Sequence, residues 1–288
     1  MCRVSVIVPT HNRAASLPAH VDRVLHQTAA DYEAVYVNDS STDDTARILD
    51  EYAARFPGRL RVVHVHAGAP GPARNAGAAI ARGGLLLFTD DDVTVPDDWV
   101  ARMLALYEAA GRPAVCGGVA PVSMETDVER YLHCRVAGAM GRAAGAIHAA
   151  PMMNFMVTRE AFQAIGGFLD TPLRAAEDWE FCRRLRAAGF VIHYDPGVEV
   201  LHAYQRELIP AAHRMRDAGA AGVYIWLKHH RGAFLYTAYS LIRCVLSPFW
   251  IPFRYPIELY ALAVHMEYVF AEARLLAYVR YLRGKPVV

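Results

Sequence analysis

Short apolar runs recur through the first 120 residues, each about one strand long and each followed by a segment of helical length. The runs are 4–10 (VSVIVPT), 33–39 (EAVYVND), 59–65 (RLRVVHV), 84–90 (GLLLFTD) and 114–119 (AVCGGV). The segments between them, 16–28, 43–56, 72–83 and 96–111, space their apolar residues as helices do. Strands separated by helices of this size build βαβ units, so the pattern predicts an α/β fold: a mostly parallel sheet with helices on both faces. In such sheets ligands bind beyond the carboxyl ends of the strands. Three runs end there in polar residues: Thr10, His11 and Asn12; Asn38, Asp39 and Ser40; Asp90, Asp91 and Asp92.

The pattern changes after about residue 228. Residues 233–256 and 257–279 are rich in Leu, Ala, Tyr, Phe and Trp and each approaches membrane-spanning length. Arg243 interrupts the first, and Glu258, His265, Glu267, Glu272 and Arg274 interrupt the second. An ion in mid-bilayer costs about 2.5–3.5 kcal/mol on insertion scales, which argues against simple spans. Amphipathic helices lying on a membrane surface are expected, with Arg280, Arg283 and Lys285 toward anionic lipid. A helical hairpin packed on the catalytic domain or on a dimer partner is the other reading. The expected division is therefore an α/β domain over 1–228 and a helical, membrane-associating appendage over 229–288.

Charge and cysteine content sharpen this division. The 288 residues carry a net charge of +1, but residues 228–288 hold eight basic and three acidic side chains, so a basic tail follows a body of net −4. The five cysteines are scattered without a C-x-x-C pair, the usage of a reducing compartment. The N-terminal apolar stretch stops after a few positions and reads as a first strand, not a signal peptide. A cytoplasmic catalytic face is expected, peripheral on the inner face of the plasma membrane. No nucleic-acid partner is expected, and the oligomeric state is left open.

The segment 83–99 (GGLLLFTDDDVTVPDDW) carries the sharpest chemical signal. Three adjacent carboxylates after a buried strand repel one another unless a positive charge is near. Asp97 and Asp98 instead follow Pro96 at a helix start, where carboxylates meet the helix dipole favourably. The alternative for the first block is a solvated acidic loop.

The stretches SVIVPTHNR, VNDSSTDDT, GPARNAGAA, FTDDDVTVPDDW, MMNFMVTREAF and EDWEFCRRL stand in an order and spacing that resemble the family 2 glycosyltransferases of the GT-A fold, over residues 3 to about 205. That resemblance implies inverting, single-step transfer from a nucleotide-sugar donor to a glycan or lipid-linked acceptor. A departing diphosphate suits a hard divalent cation with oxygen ligands, Mn²⁺ or Mg²⁺. Asp90 to Asp92 match the family's DXD motif: Asp90 and Asp91 fall to the donor, and Asp91 and Asp92 are both candidates for the metal. His202, in a position where similar enzymes place a metal-binding histidine, is the further ligand candidate.

By the same resemblance Asp39 reads the nucleotide base, as a carboxylate accepting from an imide N–H can, which favours a UDP or dTDP sugar. Arg74 is expected at the donor too, pairing with Asp39 or the base edge. Pro9, Thr10 and Asn12 at the first strand end complete the donor set. Asp178 is expected to be the general base, with Glu177 as acceptor or orientation residue. The Q-x-x-R-W motif of processive relatives is absent from the sequence, so one sugar per encounter is expected. Two other functions fit parts of the pattern. Asp90-x-Asp92-x-Thr94 matches a haloacid-dehalogenase-like phosphatase signature, but the only lysines, Lys228 and Lys285, lie in the tail. A non-catalytic sugar-nucleotide-binding scaffold at the membrane would need neither Asp178 nor the acidic cluster.

Overall fold

A computed structural model describes residues 2–171, 173–229 and 233–288; Arg231, counted above among the basic tail residues, lies outside the described residues. The chain divides into two compact units. The first comprises residues 1–122, 136–172 and 178–203, and the second residues 123–135, 173–177 and 204–288. The division expected at residue 228 differs from this. The helix that precedes it groups with the tail, because its small residues pack closely on the last helix of the chain.

The first unit runs β1 (Val4–Thr10), α1 (Leu17–Leu25), β2 (Tyr32–Asp39), α2 (Thr45–Arg55), β3 (Leu60–Val65), α3 (Pro70–Ile80), β4 (Leu85–Phe88), β5 (Val93–Thr94), α4 (Trp99–Ala110) and β6 (Ala114–Pro121). It resumes with the last turns of α5 (Asp127–Met140), then β7 (Gly145–Ile147), β8 (Phe155–Thr158), α6 (Arg159–Ala164), α7 (Glu177–Ala187) and β9 (Ile192–His202). All the strands join one sheet in the order β3-β2-β1-β4-β8-β6-β9-β5, with β7 on β9. Parallel pairing holds over β3-β2-β1-β4, where both faces of β1 and β2 are buried and the strands are apolar almost throughout. Beyond β4 the sheet is mixed, since β8 enters antiparallel to both β4 and β6. The β-hydrophobic pattern cannot show this change, because a strand buried on both faces reads alike in either direction.

Register brings the polar strand ends level. Thr10 pairs with Asn38 across β1–β2, and Ile7 pairs with Phe88 across β1–β4, so three residues further on Thr10 stands beside Asp91. Helix α3 lies close on this part of the sheet because Gly77 has no side chain: a Cβ there would come within 2.6 Å of Ile7 Cγ2 and 2.8 Å of Val37 Cγ2. The other half of the sheet is held by Asn154, which is fully buried just before β8. Its Nδ2 donates to the carbonyls of Gly118 (2.9 Å) and Val198 (2.8 Å), and its Oδ1 accepts from Trp99 Nε1 (2.9 Å).

The second unit is helical. The start of α5 is closed by a reciprocal capping box: Glu129 Oε2 accepts from the Thr126 N–H at 2.8 Å and Thr126 Oγ1 accepts from the Glu129 N–H at 3.2 Å. Helices α8 (Leu208–His229), α9 (Ala233–Val245), α10 (Ser247–Trp250) and α11 (Tyr260–Leu282) follow. Gly219 of α8 lets the backbone of α11 approach, since a Cβ there would lie 2.8 Å from the Phe270 carbonyl oxygen. Helix α11 packs against α8 and α9; its Glu267 is buried within 3.4 Å of Arg243 and 3.9 Å of Arg135, while Glu272 and Arg280 are exposed.

The Asn154 contacts make a test of the sheet. Gly117 lies where β6 shifts register against β9, and a Cβ there would fall 2.2 Å from both Asn154 Nδ2 and the Val198 carbonyl oxygen. Gly117→Ala is expected to destabilise the fold by at least about 2 kcal/mol, read from chemical denaturation, because it displaces a buried amide from its partners.

Candidate active site

The turn between β4 and β5 presents Asp90, Asp91 and Asp92 at the carboxyl edge of the sheet. Three different elements bring side chains to them. Arg74, almost fully buried on α3, donates from Nη2 to Asp90 Oδ1 at 2.6 Å. Arg13, just past the end of β1, donates from Nε to Asp91 Oδ1 at 3.0 Å and from Nη2 to Asp92 Oδ2 at 3.4 Å. His202, the last residue of β9, brings Nε2 to 3.4 Å from Asp92 Oδ1. The repulsion evident in the sequence is thus answered from three separate stretches of the chain, Arg74 lying 16 residues from Asp90 and Arg13 78 residues from Asp91.

Arg13 is held by its backbone. Its N–H donates to Thr45 Oγ1 at 2.8 Å, the Ala14 N–H donates to Asp43 Oδ2 at 3.0 Å, and the Asn12 N–H donates to Ser41 Oγ at 2.9 Å. Asn12 Oδ1 in turn accepts from the Thr42 N–H at 2.8 Å. Asn12 and Ser40 both adopt left-handed backbone, with φ of 53° and 56°. Such conformations cost energy in residues other than glycine and persist where surrounding bonds enforce them, as this lacing of two loops does.

Asp39, at the end of β2, is nearly buried and uses one oxygen as a loop anchor: Oδ1 accepts from the N–H groups of Ala67 (2.8 Å) and Gly68 (3.1 Å) and from Ser40 Oγ (3.1 Å). Arg74 was expected beside Asp39 or a base edge; its ion pair with Asp90 was not anticipated. Pro9 and Thr10 lie on β1, with Thr10 buried against Asp91. Asp98 stands at the N-terminal boundary of α4 as expected. It makes no side-chain capping bond, however, and faces Arg102 at 3.7 Å.

Burial dominates the titration of the acidic turn. Loss of solvent pushes the Asp91 carboxyl up to about 6, with Arg13 and Thr10 opposing and the neighbouring aspartates reinforcing the shift. Beneath the turn, His20 Nδ1 lies 2.7 Å from the Tyr36 hydroxyl, and burial lowers this imidazole to about 4, so it is neutral at pH 7.

Asp178 occupies the first turn of α7, where its Oδ1 accepts from the Trp179 N–H at 2.7 Å; Ala176 just before the helix has φ of 62°. An aromatic stack connects α7 to the strand ends. Phe181 of α7 stacks on Phe168 with ring centroids 4.4 Å apart, Phe168 meets Phe88 of β4 edge-on at 5.6 Å, and the Arg74 guanidinium lies 5.6 Å from the Phe168 ring. Asn75 of α3 clamps the Phe168 backbone from both sides, donating to its carbonyl at 2.9 Å and accepting from its N–H at 2.8 Å. Glu180 and Arg184 add a two-pronged ion pair of 2.7 Å on each arm, and Arg184 also donates to the carbonyls of Ile165 and Gly167. Sequence reasoning missed Arg13, Phe168 and Arg184. Arg13 follows a strand end directly, a usable signal; the other two are visible only through their tertiary partners.

A divalent cation is the group this chemistry implies, and the donor set fits one. Two donors on adjacent positions of an octahedral ion are roughly 3 Å apart, close to the 3.4 Å between Asp92 Oδ1 and His202 Nε2. Among the described residues no three carboxylate, histidine or cysteine side chains converge as a closed cage. An ion held by Asp92 and His202 would need further ligands from substrate phosphate or water.

Comparison with known proteins places these residues in context. Residues 5–166 match the family model described as Glycosyl transferase family 2. An uncharacterized glycosyltransferase of Haemophilus influenzae is 30% identical over 197 residues, covering 63% of this chain and 61% of the relative, so the chain spans less than two thirds of that protein's length. Among solved structures, the mannosyltransferase PcManGT from Pyrobaculum calidifontis, in complex with GDP-Man and Mn²⁺, aligns over 98% of this chain and 88% of its own, with a TM-score of 0.68 and 20% identity. The S. aureus TarS 1–349 structure in complex with UDP-GlcNAc aligns over 98% and 92%, with a TM-score of 0.58 and 16% identity.

The raised Asp91 sets an expectation for stability. Between its ordinary value of 3.8 and about 6 the folded chain binds a proton that the unfolded chain releases, so this carboxyl favours the folded state as pH falls through that window and opposes it above. Asp91→Asn is expected to raise the unfolding free energy at pH 7.5 by about 1–3 kcal/mol, with the gain fading toward pH 4 in denaturation curves.

Proposed function

The chain belongs to glycosyltransferase family 2 and has the GT-A fold, and from that premise we propose that it transfers a single sugar, with inversion, from a nucleotide-diphosphate sugar to a hydroxyl of a glycan or lipid-linked acceptor. The observation that carries this reading is the acidic turn at the sheet's carboxyl edge, crossed by Arg13, Arg74 and His202. A cluster so built offers both a cation site and guanidinium groups to a diphosphate. The complexes of PcManGT with GDP-Man and Mn²⁺ and of TarS with UDP-GlcNAc support a nucleotide sugar as donor and a divalent metal as cofactor.

In this reading Asp92 and His202 hold the ion, with Asp91 beside them. The ion, when bound, supplies positive charge to the diphosphate leaving group. Asp39 reads the base edge, favouring a UDP or dTDP sugar, while Pro9, Thr10 and Asn12 line the donor. Arg74 keeps Asp90 oriented toward the ribose side, and Arg13 is released from Asp91 to the incoming phosphates. Asp178 takes the acceptor hydroxyl proton as the oxygen bonds to the anomeric carbon and the bond from that carbon to the β-phosphate oxygen breaks. Glu177 orients the acceptor. One displacement on the face opposite the leaving group inverts the anomeric centre. The enzyme works at the cytoplasmic face of a membrane, where lipid-linked acceptors are found.

Asp178→Asn preserves size but cannot accept a proton, so turnover of the nucleotide sugar is expected to fall by roughly 10²–10⁴ while donor affinity stays near wild type. Undiminished turnover would remove Asp178 from this role, and a product of retained configuration would overturn single displacement. Asp92→Ala is expected to abolish the extra thermal stabilisation that a nucleotide sugar provides with Mn²⁺ over the nucleotide sugar alone. No turnover of any nucleotide sugar by the wild type, with binding intact, would favour the scaffold reading.

A further inference from the structure

Helices α9 and α10 are built inside out. With the short turn Ile251–Phe253 that follows, they expose Leu235, Tyr239, Ile242, Leu246, Phe249 and Phe253 in steps of four and three residues, with Phe234 and Val245 exposed beside them. Phe249 is 74% exposed and Phe253 91%. The opposite face, turned into the unit, carries Thr237, Ser240, Cys244 and Ser247, all buried. A helix bordering water keeps its apolar stripe inside and its hydroxyls outside; the reverse arrangement is stable where the medium outside is itself apolar.

The charge that interrupts this apolar run is removed from the exposed stripe. Arg243 pairs with Glu267 at 3.4 Å and lies 4.5 Å from the Trp250 ring centroid. Arg274 of α11 donates to Ser240 Oγ and lies 4.4 Å from the Tyr236 ring. Among the described residues no single helix is long and apolar enough to cross a membrane. Residues 234–245 and 247–253 together pass that measure, but they are bent by 63°.

We infer that the α9–α10 bend enters one leaflet of an anionic lipid bilayer as a wedge, with Phe249 and Phe253 at its deepest part. Charge selects lipid over a second copy of the chain. The tail from 228 to 288 is net +5 and exposes Arg254, Arg280, Arg283 and Lys285. Two such tails repel, whereas anionic headgroups attract each of them. The apolar stripe supplies the part of the affinity that salt does not screen. This wedge supplies the contact face for the membrane location proposed above and is independent of catalysis.

The test is flotation of the full chain with phosphatidylcholine vesicles, with and without phosphatidylglycerol. Wild-type protein is expected to float with the anionic vesicles and to stay largely bound in 0.5 M salt, roughly. The double substitution Phe249→Asp with Phe253→Asp is expected to lower the bound fraction at least about tenfold. Its circular dichroism and nucleotide-induced thermal shift should match the wild type, which separates a failed wedge from a failed donor site. Equal flotation of the variant would overturn the wedge. So would wild-type protein that ignores both vesicles and forms a dimer that the variant breaks, since the stripe would then belong to a second copy.

Discussion

Three adjacent carboxylates at the edge of a buried sheet are tolerable only if positive charge is brought to them, and much of the first unit is arranged to do so. Arg74 comes from α3 and Arg13 from the loop after β1, and the His202 imidazole adds a polar contact to Asp92 from the end of β9. Each is delivered by a different part of the sheet. The parallel register of β1 with β4 sets Thr10 and Arg13 beside the turn, and the glycine at 77 lets α3 sit low enough for Arg74 to reach it. The compensation is partial, because burial still holds Asp91 near 6. A partly dry acidic turn of this kind suits the cation and diphosphate of the proposed reaction.

The same constraint explains where the strain lies. Asn12 and Ser40 are non-glycine residues in left-handed backbone, and they sit in the two loops laced together to present Arg13. Ala176, the third, immediately precedes the helix that carries Asp178. The stack from Phe181 through Phe168 to Arg74 couples that helix to the strand ends, and the hydrogen bonds of Arg184 to the Gly167 carbonyl and of Asn75 to the Phe168 backbone run beside it. The proposed base and the acidic turn are therefore positioned by one aromatic cluster. Aromatic contacts of this kind are worth about 0.5–1.5 kcal/mol each beyond their buried area, enough to hold a helix start in register.

The second unit follows a different logic. Half-buried Arg135 and Arg243 meet the buried Glu267, and hydroxyls face inward on α9 while phenylalanine, leucine and isoleucine face out. An ion within an apolar run does not by itself say which way it points: Arg243 sits beside the exposed stripe of α9 and pairs with Glu267.

The sequence by itself determined the alternation of strands and helices, the polar strand ends, the acidic turn and the composition break at the tail. All of these rest on periodicity and local chemistry, which act over a few residues. The family motifs also singled out Asp39, Arg74, Asp178 and His202 for inspection. Only the tertiary structure decided which cation meets which carboxylate, since Arg13 and Asp91 are 78 residues apart and nothing local selects one arginine over another. It decided that β8 runs antiparallel, because burial on both faces erases the directional signal. It decided, too, which side of α9 faces outward: an amphipathic stripe has the same period whether its apolar side meets a protein core or a bilayer.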